Sequence, residues 1–592
     1  MEFEMESALG FQESMGSEVV ELVDSEPQAK ELDRPCFHVM PRTGWMNDPN
    51  GPIFFNGQYH MFYQQVLSGI TWDFGIVWGH ATSPDLVHWE HLPAALVPTP
   101  GGPDANGCFS GCCTVDPATG LPTILYTGVR LRTNEECGPL PPKECDLSLE
   151  FIESQCMAVA DPGDPKLMKW TKSGIPFLQH PPSGLPLTGW RDPFIVETGS
   201  PNKEWLMLMG SGLRGAGGAI LKYKSQSLSS GWTYDGVLCM GDERETGTMW
   251  ECPILVNLKR PTSKSKALQP SRTASGMVHH TVSQEFDLAA LDFWGEDALP
   301  SSYESKSMLT GAGADAGPST QDSDKYLFCV SPDAPENPVL YWIGNYVDEQ
   351  FIMETAEGPF RLDLGDVMYA PNMTKDAEGR HLLWGWLQER SRMGEFDYAG
   401  CLSVPRLLHV HNGRLFQEPA PEIADLRKGK RWHEIGLHLY PEESTPLEGV
   451  GGQSLDIELT IERGTSTAAG VQVRAWESDG ENCLILFDWD TTTLEVIRGP
   501  MDVPIDEMRF SEDRAGGGID LRPGDPLEIR ILLDHSALEI YTGTGEVLST
   551  RVYRGRPPPG ADSGIDFLAC GGIARLARVW AFEMGSIWKG AA

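Results

Sequence analysis

Three carboxylates stand in settings that could support nucleophilic or acid–base chemistry. Asp48 lies in Trp-Met-Asn-Asp-Pro-Asn-Gly, Asp192 in Trp-Arg-Asp-Pro, and Glu251 in Met-Trp-Glu-Cys-Pro. Apolar neighbours raise a carboxyl pKa, as a general acid at neutral pH requires, whereas an adjacent arginine such as Arg191 keeps a carboxylate ionised. Most glycosidases use two carboxylates, one as nucleophile and one as acid/base. Glycoside chemistry is therefore the first hypothesis.

Each carboxylate also has a structural alternative that the residues themselves leave open. Asp48 could be a turn residue that bonds its own backbone. Asp192 could be half of an ion pair at a strand start, and Glu251 could be a buried side chain satisfied by a neighbour.

Motifs for other chemistries are weak. The glycine-rich stretch 212–218 lacks the strand–GxGxxG–helix context and the Lys-Ser/Thr ending of a phosphate loop. Residues 88–91 do not match the HExxH zinc pattern, and Cys108, Cys112 and Cys113 have no partner pair at zinc-finger spacing. Residues 107–111 miss the GxSxG elbow. We therefore expect no metal, no nucleotide or other cofactor, and no serine nucleophile.

The composition limits the partners of the protein. Its 592 residues include 46 basic and 84 acidic side chains, a net charge of −38. Binding to nucleic acid needs clustered Lys and Arg, so we expect no nucleic-acid partner and interpret the excess acid as a solvated surface. No stretch reaches the 18 apolar residues of a membrane helix, so no membrane partner is expected. The sequence leaves the oligomeric state open.

The N-terminus and the cysteines bear on localisation. Residues 1–33 are strongly acidic and hold no apolar run of signal-peptide length. We therefore predict a disordered acidic tail over residues 1–35. The 13 cysteines, an odd number spread through a long chain, favour mostly free thiols in a reducing compartment. A cytoplasmic location is expected, with a secreted protein whose leader is missing as the alternative.

The elements that must position the carboxylates are predicted to be β-strands. With 64 Gly and 45 Pro the chain turns often. Apolar-aromatic runs flank Asn56-Gly57, the strongest short hairpin signal. Similar runs recur at 123–126, 194–196, 205–209, 326–330, 341–346 and 381–386. Many short strands separated by turn residues indicate a sandwich, a barrel or a propeller.

Two breaks divide the chain. Residues 262–323 are rich in Ser, Ala and Gly, which predicts a flexible insertion that folding does not need. Beyond a basic cluster near residue 428, seven short apolar runs have the count and rhythm of a β-sandwich. We predict a catalytic unit over 36–425, a linker over 426–445 and a sandwich over 446–590.

With these motifs assembled, the chain resembles glycoside hydrolase family 32, which comprises invertases, inulinases, levanases and related fructosyltransferases. Asp48 matches the family nucleophile, Asp192 in Arg-Asp-Pro its transition-state stabiliser, and Glu251 in Glu-Cys-Pro its acid/base. Further matches follow in family order at 62–64, Trp72, 78–83, 85–89, 108–111, 384–386, 403–406 and 538–541. The resemblance covers roughly residues 36–590 apart from the insertion.

The resemblance implies an all-β fold, a five-bladed β-propeller followed by a C-terminal β-sandwich. It also implies a retaining β-fructofuranosidase that acts on sucrose, and on short fructans, through a fructosyl–Asp48 intermediate. Asp192, kept ionised by Arg191, would accept hydrogen bonds from fructose hydroxyls. The family's sugar-binding positions correspond to Asn47, Gln64, Trp72, Phe109, Ser110 and Arg191.

Two alternatives accompany this reading: a fructosyltransferase, and an inactive carbohydrate-binding protein on the same scaffold. Retention of all three carboxylates argues against the second. The sequence departs from the family at 65–67, at 130–155 and in the insertion. We expect these regions to border the leaving-group side of the pocket. They leave open the choice between sucrose, inulin and levan, between hydrolysis and transfer, and between endo and exo action.

Overall fold

The protein is built almost entirely from β-strands. The computed structural model describes residues 34–196, 204–258, 325–333, 337–390, 396–411, 413–441, 443–477 and 480–588. These ranges contain 36 strands, two α-helices (α1, Glu243–Thr246; α2, Ile505–Met508) and 3₁₀ turns at Glu135–Cys137, Lys143–Cys145, Met353–Thr355 and Pro421–Leu426. The predicted insertion 262–323 and residues 1–33 of the predicted acidic tail lie outside the described residues. None of the helices described is long and apolar enough to cross a membrane.

The first part of the chain forms five successive antiparallel units, which we call blades 1 to 5. Blade 1 has β1 (Gly44–Phe55), β2 (Gln58–Val66), β3 (Val77–Ser83) and β4 (Glu90–Leu96). Blade 2 has β5 (Gly107–Asp116), β6 (Leu121–Leu131), β7 (Phe151–Ala160) and β8 (Trp170–Lys172). Blade 3 has β9 (Leu187–Val196), β10 (Trp205–Leu213), β11 (Gly217–Ser225) and β12 (Thr233–Met240).

Blades 4 and 5 carry additional short strands. Blade 4 has β13 (Trp250–Asn257), β14 (Tyr326–Pro332), β15 (Leu340–Gly344) and β18 (Glu357–Arg361), with a small hairpin of β16 (Tyr346–Val347) and β17 (Gln350–Phe351). Blade 5 has β19 (Met368–Lys375), β20 (His381–Leu387), β23 (Arg406–His411) and β24 (Arg414–Pro419), and β22 (Cys401–Leu402) pairs with β20. The remaining short strand, β21 (Tyr398–Ala399), runs parallel to the start of β1.

The five blades close into a ring. The first strand of each blade packs against the first strands of both neighbouring blades, and β1 meets β19. A fully buried tryptophan lies in four of the blades, namely Trp78, Trp190, Trp250 and Trp384. Burial of such a side chain stabilises a fold by about 1.5–3 kcal/mol. The predicted five-bladed β-propeller is confirmed, and so is the hairpin at Asn56-Gly57, whose positive φ angles of 50° and 75° suit a type I′ turn.

The second part of the chain is a sandwich of two six-stranded antiparallel sheets. One sheet has the order β25-β36-β27-β32-β33-β34, and the other β26-β35-β28-β29-β30-β31. The bounds are β25 (Arg427–Leu439), β26 (Ser444–Pro446), β27 (Ser454–Glu462), β28 (Ala468–Val473), β29 (Glu481–Asp488), β30 (Thr493–Pro500), β31 (Arg514–Gly518), β32 (Leu527–Asp534), β33 (Ala537–Thr542), β34 (Val547–Arg551), β35 (Ile565–Cys570) and β36 (Ala574–Met584). Aliphatic side chains from both sheets form the core between them.

The predicted linker over 426–445 was wrong. Most of it is β25, which pairs with β36 along nearly its whole length. Trp432 and Leu437 pack on the sandwich core, but His433, Glu434 and Ile435 between them are all exposed. With Gly429 and Gly436 as well, the strand has the composition of a loop.

Candidate active site

Each of the five inner strands of the propeller carries a one-residue bulge. In each pair of strands, the inner strand advances by three residues where its neighbour advances by two. These places are 46–49, 108–111, 191–194, 251–254 and 369–372. Consecutive side chains of a regular strand point to opposite faces of the sheet, and a bulge allows two neighbouring side chains to point to the same face. The bulges explain why consecutive residues come together in one site: Asn47 with Asp48, Phe109 with Ser110, Arg191 with Asp192, and Glu251 with Cys252.

Three of these bulges hold strained backbone. Asp192, Cys252 and Ala370 have φ angles of 61°, 47° and 45°. Each of them is followed by a proline. A non-glycine residue in this region carries about 1–3 kcal/mol of strain, and such strain concentrates at functional sites. The surrounding ladders must therefore hold these three positions in place.

The carboxylate of Asp48 is oriented by a chain of amide and hydroxyl groups. Ser110 Oγ donates to its Oδ2 at 2.5 Å, and Asn47 Nδ2 donates to its Oδ1 at 3.1 Å. Gln64 connects these two donors, because its Nε2 donates to Ser110 Oγ at 2.6 Å and its Oε1 accepts from Asn47 Nδ2 at 2.7 Å. Burial raises the pKa of Asp48 to about 6, although the hydrogen bond from Ser110 lowers it. The negative charge of Glu251 adds to the rise.

Asp192 lies beside Asp48 with a thiol between them. Cys252 Sγ is 3.6 Å from Asp48 Oδ2 and 3.7 Å from Asp192 Oδ2, and Cys252 N–H donates to Asp192 Oδ2 at 3.1 Å. Burial and then the charge of Glu251 raise the pKa of Asp192 to about 8, although Arg191 acts in the opposite direction. Burial also raises the pKa of the Cys252 thiol, so it is present as the neutral group.

The guanidinium of Arg191 is directed at two glutamates. Its Nε and Nη2 both donate to Glu251 Oε1, at 2.9 and 2.7 Å, and its Nη1 donates to Glu153 Oε1 at 2.9 Å. Glu153 Oε2 in turn accepts the N–H of Trp190 at 2.8 Å. The ion pairs of Arg191 are thus with Glu251 and Glu153, and its charge offsets only part of the effect of burial on the pKa of Asp192.

The second oxygen of Glu251 contacts a buried phenol. Tyr369 Oη lies 2.6 Å from Glu251 Oε2 and 2.7 Å from the carbonyl oxygen of Pro332. Tyr369 is 4% exposed, whereas the side chain of Glu251 is 22% exposed. The contacts with Arg191 and Tyr369 thus fix both oxygens of a carboxyl group that solvent can still reach.

An aromatic rim borders the carboxylates. Trp72 is 44% exposed and meets the Phe109 ring edge-on, with centroids 6.2 Å apart. Phe151 extends the rim, with its centroid 5.9 Å from that of Phe109. An exposed tryptophan beside buried hydrogen-bonding groups suits a ligand with apolar faces and polar edges.

The sequence-predicted residues fall into two groups in space. Hydrogen bonds connect Asn47, Asp48, Gln64 and Ser110, and an ion pair connects Arg191 with Glu251. The Cys252 thiol lies between Asp48 and Asp192, and the rim holds Trp72 and Phe109. Sequence reasoning gave no role to Glu153, Cys252 or Tyr369. A signal for Tyr369 exists, because Tyr369-Ala370-Pro371 has the same place in its strand as Arg191-Asp192-Pro193 and Glu251-Cys252-Pro253.

Buried carboxylates of unlike surroundings at the centre of a propeller, beneath an aromatic rim, define a glycosidase-type site. The chain belongs to glycoside hydrolase family 32. Residues 38–419 match the model of the "Glycosyl hydrolases family 32 N-terminal domain", and residues 422–588 match that of the "Glycosyl hydrolases family 32 C terminal".

Individual relatives cover nearly the whole chain. It is 27% identical to sucrose-6-phosphate hydrolase of Escherichia coli, over 94% of each protein. It is 28% identical to acid beta-fructofuranosidase of Solanum lycopersicum, over 94% of this chain and 82% of the relative. Fructan 1-exohydrolase IIa from Cichorium intybus has the same fold, with a TM-score of 0.70 at 22% identity over 94% of this chain and 98% of that one. The protein is accordingly a glycoside hydrolase of the β-fructofuranosidase type, with a carbohydrate as its substrate.

Proposed function

We propose that the protein is a retaining β-fructofuranosidase that hydrolyses the terminal β-D-fructofuranosyl unit of sucrose and of short fructans. The observation that carries the proposal is the unlike surroundings of Asp48 and Glu251. Asp48 receives hydrogen bonds from Ser110 and Asn47 and is held in one orientation. One carboxyl oxygen of Glu251 accepts hydrogen bonds from Arg191. The other contacts the Tyr369 hydroxyl, which can donate or accept a hydrogen bond.

In the first step, Asp48 attacks the anomeric carbon C2 of the fructosyl unit. The bond from C2 to the leaving oxygen breaks as Glu251 gives its proton to that oxygen. The products are a fructosyl–Asp48 ester and a free sugar, with Glu251 left as a carboxylate. Ser110 and Asn47 keep the attacking oxygen in line, which lowers the entropic part of the barrier.

In the second step, a water molecule attacks C2 and the bond to Asp48 breaks. Glu251 takes the proton of that water, so it ends the cycle protonated, and fructose leaves with its anomeric configuration retained. Asp192 would accept hydrogen bonds from fructose hydroxyls as positive charge develops at C2. Its raised pKa follows from the loss of water, and sugar hydroxyls would replace that water as hydrogen-bond donors.

The experiment is incubation of the purified protein with sucrose, sucrose 6-phosphate and 1-kestose, followed by product analysis over time. Equal amounts of glucose and fructose from sucrose, with β-fructofuranose as the first anomer seen by NMR, are the expected result. Inversion would contradict the mechanism. Excess glucose with accumulating kestose would identify a fructosyltransferase. Cleavage of sucrose 6-phosphate and of neither other sugar would show that the sugar phosphate is the substrate.

A further inference from the structure

The hydroxyl of Tyr369 lies between two hydrogen-bond acceptors, although it has one proton. Glu251 Oε2 is 2.6 Å away and the carbonyl oxygen of Pro332 is 2.7 Å away. A carbonyl can only accept, and an ionised carboxylate can only accept, whereas a carboxylic acid can donate to the phenol oxygen. Which of the two neighbours receives the Tyr369 proton must therefore depend on whether Glu251 carries one.

The two oxygens of Glu251 are not equivalent for proton transfer. Oε1 accepts two N–H groups from Arg191, which is held in turn by Glu153. A proton on Oε1 would face these cationic donors, so the proton belongs on Oε2. That oxygen is also the one that Tyr369 contacts.

We propose that Tyr369 is a positioning residue that supports Glu251 in both of its protonation states, and that Oε2 is the oxygen that exchanges the proton. The inference rests on the proposed function, because it needs Glu251 to act first as an acid and then as a base. With Glu251 protonated, the Tyr369 hydroxyl donates to Pro332 and its oxygen can accept the Oε2 proton. With Glu251 ionised, the hydroxyl turns and donates to Oε2.

The proton count is the same at every stage. When the C2–oxygen bond of the substrate breaks, the Oε2 proton moves to the leaving oxygen and the Tyr369 hydroxyl turns from Pro332 to the new carboxylate. When water attacks C2, its proton moves to Oε2 and the hydroxyl turns back. Tyr369 never gives up its own proton, in keeping with a phenol whose ordinary pKa is near 10. It thus contributes a hydrogen bond at the stage when Glu251 bears its charge.

The test is Tyr369→Phe, which removes the hydroxyl and keeps the ring. A hydrogen bond to a charged group is worth a factor of roughly 10 to 100, so kcat/KM for sucrose should fall by about that factor. With 4-nitrophenyl β-D-fructofuranoside, whose leaving group needs no proton, kcat/KM should change less than about threefold. An equal loss of kcat/KM on both substrates would overturn the proposal, because a merely structural role affects them alike.

Two further variants locate the effect. Tyr346→Phe removes a phenol hydroxyl from the small hairpin of blade 4 and should leave both substrates unchanged. In a Glu251→Gln background, adding Tyr369→Phe should leave kcat on the aryl substrate unchanged within about twofold, because residues that act through each other are not additive. A full additional loss in that background would contradict the assignment.

If Tyr369→Phe does not fold, a replacement that keeps both the ring and the hydroxyl can test the proposal instead. 3-Fluorotyrosine at position 369 is a stronger donor, which makes the Glu251 carboxylate a weaker base. The 3-fluorotyrosine variant should have a lower kcat on the aryl substrate and an unchanged kcat/KM on the same substrate. An unchanged kcat would overturn the proposal. Failure of the proposed function would appear separately, as a wild-type protein that releases no fructose from any of the three sugars.

Discussion

Two clusters of carboxylates in the part of the chain that the structure describes each have two members with shifted pKa values, and the direction of the shift differs between the clusters. The propeller cluster lies at the site and consists of Asp48, Glu153, Asp192 and Glu251 with Arg191. The junction cluster lies where the N-terminal segment, the propeller and the sandwich meet, and consists of Asp363, Asp534 and Glu539 with His38 and Arg406. The pKa values of Asp48 and Asp192 are raised, whereas those of Asp534 and Glu539 are lowered.

Donors surround the carboxylates of the junction cluster. Asp534 accepts the backbone N–H groups of Cys36 and Phe37 at 2.9 and 2.7 Å and lies 2.8 Å from His38 Nδ1. Burial alone would raise its pKa, but the hydrogen bonds with His38 and His535 hold it well below its usual range. Burial likewise acts against Glu539, yet the charge of Arg406 and the bond to His38 lower its pKa to about 2.

The propeller cluster has far fewer donors for its charge. Four carboxylates share one guanidinium, which contacts Glu153 and Glu251. Burial favours a raised pKa at Asp48, Asp192, Asp534 and Glu539 alike, so the supply of donors decides the direction of the shifts. One fold can thus use buried acids to join its parts and, at another place, hold acids with incomplete hydrogen bonding for a substrate.

The largest effect should come from Asp48→Asn, which separates chemistry from stability in the propeller cluster. Loss of a nucleophile typically lowers turnover by about 10⁴-fold or more. The melting temperature should not fall, because the amide removes a poorly compensated charge and keeps the shape. Kinetics on sucrose and thermal unfolding measure the two effects, with Asp502→Asn on the sandwich surface as the control. Appreciable turnover by the folded variant would remove Asp48 from the mechanism.

Arg406→Met should give the largest loss of stability. The guanidinium is fully buried between Asp363 and Glu539, so its removal leaves Asp363 without its cation and Glu539 with His38 alone. Breaking a buried pair in this way costs about 3–5 kcal/mol of unfolding free energy. The exposed Arg431→Met is the matched control and should change stability by less than about 0.5 kcal/mol. Equal effects in denaturant titrations would show that the junction cluster is not what holds this region.

Glu153→Gln tests whether Arg191 depends on a second carboxylate for its orientation. The amide can still accept the Trp190 N–H but loses the ion pair to Nη1. The kcat/KM for sucrose should fall about 10-fold, the lower end for a hydrogen bond to a charged group. The exposed neighbour Glu150→Gln should be silent. Full activity in Glu153→Gln would mean that Glu251 alone fixes the arginine.

The two clusters should respond oppositely to pH. Glu539 has a lowered pKa of about 2, so its contribution to stability is present at neutral pH and is lost as the pH falls from about 4.5 towards 2. Asp48 has a raised pKa of about 6, so the native state binds more protons between about pH 4 and 6, and stability falls as the pH rises through that window.

Melting curves from pH 2 to 8 measure this difference. The gain from Asp48→Asn should be absent at pH 3.5 and present at pH 7. The loss from Glu539→Gln should be largest at pH 7 and shrink towards pH 2. A gain from Asp48→Asn that does not vary with pH would contradict the assignment of its raised pKa.

The smallest effect is expected from removing the insertion, which neither cluster needs. Asn257 at the end of β13 lies opposite Tyr326 at the start of β14, so an Asn-Gly turn in place of 259–324 can close this hairpin. The melting temperature and the kcat for sucrose should stay close to those of the wild type. A loss of folding would show that the insertion is packed, as its apolar patch near Phe293-Trp294 would allow.

The attachment of the insertion also qualifies a sequence-based expectation. Six residue steps separate Glu251 from Asn257 along β13, about 20 Å at the rise of a strand. Both ends of the insertion therefore leave the blade far from the acid/base, although its own course lies outside the described residues. By contrast, the unusual region 130–155 does border the site, through Phe151 on the rim and Glu153 beside Arg191.

Much of the fold could be predicted because strands and turns are local. The Asn56-Gly57 hairpin and the apolar runs of the propeller are visible in short windows, and the family motifs carry the order of the blades. The strand β25 could not be predicted, because its polar, glycine-interrupted sequence forms a strand through pairing with β36, some 140 residues away along the chain.

The sequence predicted the site residues that lie in motifs, but it did not predict the residues that contact them. Asp48, Asp192 and Glu251 each lie in a distinctive local sequence. The ion pair of Arg191 with Glu251 depends on bulges in two blades, so adjacency in the sequence does not indicate it. Glu153 was hidden for the same reason, because it comes from another blade.

The most direct test of the account is the unfolding free energy of two isosteric variants at pH 7, Asp192→Asn and Glu539→Gln. Each converts a buried carboxylate to an amide of the same shape. The two changes should have opposite signs: a gain of about 1–3 kcal/mol for Asp192→Asn, whose pKa is raised, and a loss of similar size for Glu539→Gln, whose pKa is lowered. Destabilisation by both variants would contradict the claim that the supply of donors distinguishes the two clusters.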